Sequence, residues 1–216
     1  MAAWALLAAG LSGLFAADAR SLYRAGSAAQ ASEDYPLAVE SYLAALAANP
    51  AYLEPMAGLA ESFFLMEEYD EALRWVTEAL RYDRENPALA VLHARVLVGL
   101  GKPADARARL QAILAQRPND LEARLALAEC DIAEGKAKSA LAEYARTLRL
   151  APESRAALLS LAMLSESGGD AAAAARYYEL ALRSHPSDAG VRLAAASWEA
   201  GRGRLEAAEA HARTAL

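Results

Sequence analysis

Residues 53–86 carry the stretch LEPMAGLAESFFLMEEYDEALRWVTEALRYDREN, which decides the fold of the chain. Two segments rich in alanine and leucine flank the polar residues Glu67-Glu68-Tyr69-Asp70. Alanine and leucine are strong helix formers, and a polar break between two such segments is typical of a turn. The stretch therefore predicts two helices joined as a hairpin.

The same pattern recurs along the chain with a period of 34 residues. One phase of the period holds a small residue in every unit: Gly26, Ala60, Ala94, Ala128, Ala162 and Ala196. A second phase holds leucine in every unit: Leu46, Leu80, Leu114, Leu148, Leu182 and Leu216. An alanine-rich composition does not explain a leucine column at its own fixed phase. The columns predict five full repeats, 19–52, 53–86, 87–120, 121–154 and 155–188, and a partial sixth, 189–216.

Helix packing gives these columns a physical reason. Two helices approach closely only where their side chains are small, which explains glycine or alanine at one phase. Proline ends a helix because it lacks the backbone donor, and Asn, Asp or Ser caps the helix that follows. Such signals stand between the hairpins, as in Asn86-Pro87 and in His185-Pro186-Ser187-Asp188. We therefore predict an all-α fold.

Composition and charge argue against nucleic-acid binding and indicate a bacterial origin. The chain has 216 residues and a formal charge of −6, and it contains no run of Lys or Arg. Nucleic-acid phosphates need a basic patch, so nucleic acid is disfavoured as a partner. The single cysteine, Cys130, cannot form an internal disulfide, and its apolar neighbours predict a small buried side chain. The many alanines and the excess of arginine over lysine are typical of GC-rich bacterial genomes, so we expect a bacterial protein.

No catalytic, cofactor or metal site is predicted. His93, His185 and His211 lie far apart and at different phases of the repeat, and His93 falls on the buried side of a helix. The segment Gly99-Leu100-Gly101-Lys102 lacks the first glycine and the Ser or Thr of a phosphate loop. A turn between helices explains its glycines, and we expect a protein that is not an enzyme.

The repeats resemble tetratricopeptide repeats. Glu68-Tyr69-Asp70-Glu71-Ala72-Leu73 and Asp34-Tyr35-Pro36-Leu37-Ala38 carry the resemblance, together with an aromatic column in the second helix, Tyr42, Tyr144 and Tyr178. Two features depart from the family. Arg84 replaces the closing proline of the second repeat, and the first-helix tryptophan is replaced throughout, by Leu22, Met56, Ala90, Arg124, Leu158 and Arg192. The resemblance implies a right-handed α-solenoid of stacked antiparallel hairpins, whose first helices line a concave groove.

Positions two, five, nine and twelve of each repeat share one face of its first helix, because they are three or four residues apart. We call this the first-helix face. In the five full repeats it consists of Arg20, Tyr23, Ser27, Gln30, Glu54, Ala57, Glu61, Phe64, Ala88, Val91, Arg95, Val98, Glu122, Leu125, Glu129, Ile132, Ala156, Leu159, Met163 and Glu166. From this face and its border we predict these partner contacts: Tyr23, Arg24, Glu54, Glu61, Phe64, Val91, Arg95, Glu122, Leu125, Glu129, Leu159, Met163 and Glu166.

The chemistry of the face predicts the kind of partner. It is apolar in the middle and dotted with carboxylates, and no lysine or asparagine stands at these positions. Family members that clamp a C-terminal carboxylate need Lys or Arg together with Asn, repeated along adjacent first helices, and this face lacks that pattern, which argues against such binding. A protein or peptide segment with apolar anchors and some basic residues fits the face better.

The two ends of the sequence depart from the repeat. Residues 1–18 are apolar from Ala2 to Ala17, which predicts an export signal, the tail of a membrane anchor or a capping helix. We favour export or anchoring, and hence a periplasmic or inner-membrane-anchored protein over a cytoplasmic one. The sixth repeat stops at Leu216, within its second helix. We expect either a piece of a longer protein or an end that packs on a partner.

The leading hypothesis is a scaffold or adaptor that holds a partner peptide or helix within a bacterial multiprotein assembly. One alternative is the recognition or regulatory arm of an enzyme whose catalytic domain follows Leu216. Another is structural self-assembly, in which the sixth hairpin stacks on a second copy.

Overall fold

The computed structural model describes residues 18–215, which form twelve helices. In chain order these are α1 (18–31), α2 (Tyr35–Ala48), α3 (Leu53–Leu65), α4 (Tyr69–Tyr82), α5 (Pro87–Gly99), α6 (Pro103–Gln116), α7 (Leu121–Ala133), α8 (Ala137–Leu150), α9 (Arg155–Ser167), α10 (Ala171–Ser184), α11 (Ala189–Gly201) and α12 (Leu205–Arg213). The predicted N-terminal segment lies outside the described residues, apart from Asp18. Among the described helices, none is long and apolar enough to cross a membrane.

Consecutive helices pair into hairpins, and the hairpins stack. Helices α3, α5, α7, α9 and α11 begin at residues 53, 87, 121, 155 and 189, so each hairpin repeats the last after 34 residues. Helix α3 packs on α2 and α4, and α9 packs on α8 and α10. The predicted all-α solenoid of antiparallel hairpins is confirmed.

The chain forms two compact units, with the boundary between Leu110 and Gln111, inside α6. Unit 1 contains the helices from α1 to the first half of α6. Unit 2 contains the second half of α6 and the helices from α7 to α12.

A residue in the left-handed backbone region closes each hairpin turn. Its φ lies between 61° and 79° in all six turns, at Glu33, Glu67, Gly101, Gly135, Gly169 and Gly203. In the third turn the Gly101 N–H donates to the Val98 carbonyl (2.9 Å) and the Lys102 N–H to the Leu97 carbonyl (2.8 Å). This pattern ends a helix by satisfying its last carbonyls, and glycine adopts it without steric cost. The first two turns use glutamate at the same place.

Polar side chains start the first helix of the later hairpins. Asn86, Asp120, Ser154 and Asp188 each accept a hydrogen bond from the backbone N–H three residues on. These bonds satisfy one of the donors that a helix start leaves unpaired. The capping predicted from Asn86-Pro87 and from His185-Pro186-Ser187-Asp188 is confirmed at Asn86 and at Asp188.

Each unit has its own apolar core, built around buried tyrosines of the second helices. In unit 1, Tyr42 packs with Leu59, Ala60 and Val76. In unit 2, Tyr144 packs with Leu161, while Tyr178 packs with Trp198 at a ring separation of 5.2 Å. Cys130 is fully buried, as its apolar neighbours predicted.

The structure explains how arginine replaces the tryptophan of the first helix in unit 2. The Arg124 guanidinium donates to the carbonyl of Pro118 and forms an ion pair with Glu143 at 2.8 Å. Two repeats later, Arg192 donates to the carbonyl of Pro186 at 2.8 Å. Each arginine therefore ties a first helix to the loop that precedes it. In unit 1, Met56 fills the same position as a buried apolar side chain.

Candidate partner-binding face

The first helices of neighbouring hairpins contact each other within each unit, α3 with α5 in unit 1 and α9 with α11 in unit 2. Side chains at positions two, five, nine and twelve of these paired first helices therefore lie on adjoining surfaces. The two surfaces differ in chemistry, although the helices that carry them are alike.

The surface of unit 1 contains a pocket of about 440 Å³ between α1 and α3. We call it the tyrosine pocket, and its lining is Tyr23, Ser27, Gln30, Ala31, Tyr42, Glu54, Ala57, Gly58, Glu61 and Leu65. Of the partner contacts predicted from the sequence, the structure brings Tyr23, Glu54 and Glu61 together here. Arg24 lies on α1 but does not line the pocket.

Tyr42 forms the floor of the tyrosine pocket because two glycines leave room for its ring. A β-carbon built on Gly58 would lie 2.5 Å from that ring, and one built on Gly26 would lie 2.7 Å from it. The Tyr42 hydroxyl donates to Gln30 Oε1 at 2.8 Å, and the Ser62 hydroxyl donates to the same oxygen at 3.4 Å. Burial raises the pKa of Tyr42 to about 12, with smaller contributions from the charges of Tyr23 and Glu61.

Aromatic rings and one arginine occupy the rest of the unit 1 surface. The Tyr23 ring lies 5.8 Å from that of Tyr42 and 5.5 Å from that of Tyr52. The Arg95 guanidinium lies over the Phe64 ring, 4.9 Å from its centre, which is a cation–π distance. Phe64 and Arg95 thus join the first helices of two adjacent hairpins while remaining partly exposed.

The surface of unit 2 is apolar at its centre. Ile132, Met163 and Leu193 are exposed large hydrophobic side chains, with 59% of Met163 and 53% of Leu193 accessible. Leu125 and Leu159 are partly buried against the clusters around Tyr144 and Tyr178. Beside them, Leu121, Leu125 and Pro152 help to line a depression of about 550 Å³, whose acidic groups are Glu122 and Glu153.

Carboxylates border this apolar strip. Glu122 and Glu166 are exposed, and Glu129 is partly buried. The Tyr178 hydroxyl donates to Glu166 Oε2 at 3.2 Å. Burial raises the pKa of Tyr178 to about 12, and the charge and hydrogen bond of Glu166 add to the effect. Tyr178 and Glu166 stand at the same two repeat positions as Tyr42 and Gln30 in unit 1.

One predicted partner contact needs correction. Val91 is only 5% exposed, so it packs inside the stack and offers a partner almost no surface. The predicted list also leaves out two exposed apolar side chains, Ile132 and Leu193. Ile132 was on the face but was left out of the list, and Leu193 belongs to the partial sixth repeat. Leu193 stands at position five of that repeat, so applying the four positions to the sixth repeat as well would have found it.

The histidines and acidic residues offer no metal site within residues 18–215, where no group of three His, Cys, Asp or Glu side chains could hold an ion. His93 is buried, and its Nδ1 atom has no hydrogen-bond partner. Burial lowers the pKa of His93, with a smaller effect from the charge of Arg109. It is a core histidine, as its place in the helical pattern predicted.

Comparison with known proteins identifies the repeat. A family model for tetratricopeptide repeats matches residues 29–96 and again residues 97–164, together more than half of the chain. A search of curated proteins by sequence finds no match.

Solved structures share the fold. A tetratricopeptide repeat protein from Parabacteroides merdae has a TM-score of 0.74 and 17% identity, over 91% of this chain and 77% of that one. PilW, a widely conserved type IV pilus biogenesis factor, has a TM-score of 0.67 and 21% identity, over 89% of this chain and 90% of its own. YrrB, which has an unusual peptide-binding site, has a TM-score of 0.51 and 24% identity, over 78% and 87%. At these identities the likeness shows the fold alone.

Proposed function

Because the chain belongs to the tetratricopeptide repeat family, whose stacked hairpins are protein-interaction scaffolds, we propose that it holds a segment of a partner protein on its first-helix face. The segment lies along the first helices and is gripped by side chains rather than transformed chemically. The protein is therefore a scaffold or adaptor and not an enzyme.

The exposed apolar strip of unit 2 is the observation that carries this proposal. Ile132, Met163 and Leu193 come from three consecutive first helices and are all at least 41% exposed. Covering such side chains removes apolar surface from water, at about 25 cal/mol for each Å². A partner helix or extended chain with apolar residues at matching intervals would cover all three.

The carboxylates around the strip support a partner that also carries basic residues. Glu122 and Glu166 are exposed on the same face, and the chain as a whole carries a formal charge of −6. Opposite charge on the partner would speed its encounter with the face and align it along the helices. The apolar anchors would then supply most of the affinity.

The fold of PilW and YrrB supports a role within a bacterial assembly. PilW is a type IV pilus biogenesis factor and YrrB is a tetratricopeptide repeat protein with a peptide-binding site, and both share the fold of this chain. We place this protein in the same broad class, as a subunit that organises other proteins, with no claim to either specific task.

Site-specific photocrosslinking in the host tests the proposal. A photoreactive phenylalanine analogue is placed at Met163 or at Leu193, and as a matched control at Leu150, an exposed leucine at the end of α8. The expected result is one specific protein crosslinked from Met163 and Leu193 and not from Leu150. Crosslinking from Leu150 alone would overturn the choice of face. Crosslinking only to a second copy of the chain would replace partner binding by self-assembly.

A further inference from the structure

The tyrosine pocket of unit 1 holds two carboxylates that no side chain of the described residues neutralises. Glu54 and Glu61 both line it, about two turns apart on α3, and both are exposed. Neither makes an ion pair or a side-chain hydrogen bond within residues 18–215, whereas Glu71, Glu78 and Glu143 each pair with an arginine. The lining contains no lysine, arginine or histidine.

Aromatic surface lies beside these carboxylates. The Tyr23 ring is partly exposed in the pocket and is held in place by the rings of Tyr42 and Tyr52. A tyrosine ring attracts a cation placed over its face. The pocket thus offers a ring, two negative charges and the polar side chains of Ser27 and Gln30 to one incoming group.

Nearby positive charges lie outside the lining. Arg20 and Arg24 are on the N-terminal half of α1, where their charges act on Tyr52. Arg95 lies over the Phe64 ring, one hairpin further along. The charge of Glu61 reaches the floor of the pocket, since it contributes to the raised pKa of Tyr42. The potential inside the pocket is therefore negative.

We propose that the tyrosine pocket binds one lysine or arginine side chain of the partner segment. The inference rests on the proposed function and names a specific contact within it. The volume of about 440 Å³ is at the low end for a ligand pocket and suits a single long side chain. The stem packs against Tyr23 and Ala57, and the charged end lies between the carboxylates of Glu54 and Glu61, where the charge of each favours it.

Other side chains are disfavoured for physical reasons. An acidic side chain would face two like charges without a cation to offset them. An apolar side chain would cover the carboxylates and remove their water without giving them a partner. Only a basic side chain both pairs with the carboxylates and makes a cation–π contact with the Tyr23 ring.

Titration with small probes tests this assignment. N-acetyl-lysine methylamide, the corresponding arginine compound and the uncharged norleucine compound are added to the labelled protein, and the amide signals of Ser27, Ala57 and Gly58 are followed by NMR. We expect saturable shifts with lysine and arginine, and binding of norleucine weaker by about tenfold or more, which corresponds to about 1.4 kcal/mol. Equal binding of norleucine would overturn the proposal.

Matched variants locate the effect. Glu54→Gln with Glu61→Gln should weaken lysine binding by about tenfold, because the charges are lost while the shape is kept. Glu40→Gln removes an exposed carboxylate of α2 outside the lining and should leave binding unchanged. Circular dichroism checks that each variant stays helical. Unchanged binding in the double variant, or an equal loss in Glu40→Gln, would contradict the assignment.

Failure of this inference and failure of the proposed function give different results. If crosslinks form at Met163 and Leu193 but the lysine probe does not bind, the scaffold role is supported and only the assignment of the pocket to a basic side chain is wrong. If the lysine probe binds in a charge-dependent manner but no protein crosslinks to unit 2, the pocket binds basic side chains and the proposed scaffold role is wrong.

Discussion

Unit 1 and unit 2 present different chemistry on the same arrangement of helices. The first-helix face of unit 1 has a pocket floored by Tyr42, with Glu54 and Glu61 in its lining. The corresponding face of unit 2 exposes Met163 and Leu193 in an apolar strip. The hairpins of both units share the 34-residue spacing and the left-handed turn residue.

The comparison separates the residues that build a repeat from those that give it a surface. The small residues at the helix crossing, Ala60, Ala94, Ala128 and Ala162, are fully buried in both units. The exposed positions of the first-helix face, such as Met163 and Leu193, lie largely outside the packed core. They can therefore change from polar to apolar between units without changing the fold, and recognition varies while the scaffold stays constant.

The largest change in stability is expected at the repeat position that holds Arg124 in unit 2 and Met56 in unit 1. Arg124→Ala should lower the free energy of unfolding by about 2–4 kcal/mol, because it leaves Glu143 buried with only Arg146, an exposed partner at 2.5 Å. Urea denaturation followed by circular dichroism measures the change.

A double variant sharpens this result. Replacing Arg124 by Met, as in unit 1, together with Glu143→Gln removes both charges, so it should cost less than Arg124→Ala alone. An equal or larger cost for the pair would mean that the Arg124 stem, and not its charge, stabilises unit 2.

The next effect concerns the space between α3 and Tyr42 in unit 1. Gly58→Ala should destabilise the protein by about 1–2 kcal/mol, because overpacking against the Tyr42 ring exceeds the gain in helix propensity. Gly201→Ala in unit 2 is the control. A β-carbon there meets nothing within 4 Å, so the same change should stabilise by about 0.5 kcal/mol.

If Gly58→Ala destabilises the protein by overpacking, the Tyr42 ring must be the group that it crowds. In a Tyr42→Leu background, Gly58→Ala should become neutral or stabilising, since the third repeat places the buried Leu110 at the position of Tyr42. Persistent destabilisation in that background would point to another neighbour of Gly58.

A smaller effect is expected at the hairpin turns. Glu67→Gly in unit 1 should stabilise by about 0.5 kcal/mol, because it relieves a side chain from a φ of 61°. The reciprocal change in unit 2, Gly169→Ala at a φ of 79°, should destabilise by about 1 kcal/mol. Thermal unfolding of the two variants should shift in opposite directions, and shifts of the same sign would contradict the role of the turn.

The smallest effect is a change in the titration of two equivalent tyrosines. Glu166→Gln should lower the pKa of Tyr178 from about 12, because it removes both a negative charge and a strong acceptor. Gln30→Glu should raise the pKa of Tyr42 further, since it adds a charge at the same position. Tyrosinate absorbance during alkaline titration measures both.

The raised pKa values also set the direction of the alkaline stability. The folded protein holds these two protons more tightly than the unfolded chain does, so stability should fall as pH rises from about 10 to about 12. Glu166→Gln should reduce this loss, and an unchanged alkaline transition would contradict the contribution of Tyr178.

Much of the fold could be predicted from local patterns. The caps at Asn86 and Asp120 and the turn at Gly101 involve residues close in sequence, so short motifs reveal them. Part of the site could be predicted as well, because helical periodicity places Glu54 and Glu61 on one face. The burial of Val91 could not, since periodicity gives a direction and not the extent to which neighbouring side chains cover it.

The sequence by itself determined the repeat, the all-α fold and the first-helix face, because these follow from helix propensity and from spacing along one chain. Only the tertiary structure decided which side chains of that face are accessible and which meet. The tyrosine pocket depends on Tyr42 lying between glycines of two helices, and the Arg124–Glu143 pair joins α7 to α8 through residues 19 positions apart in the sequence. Such contacts arise from packing between elements, where small differences in side-chain volume decide what fits.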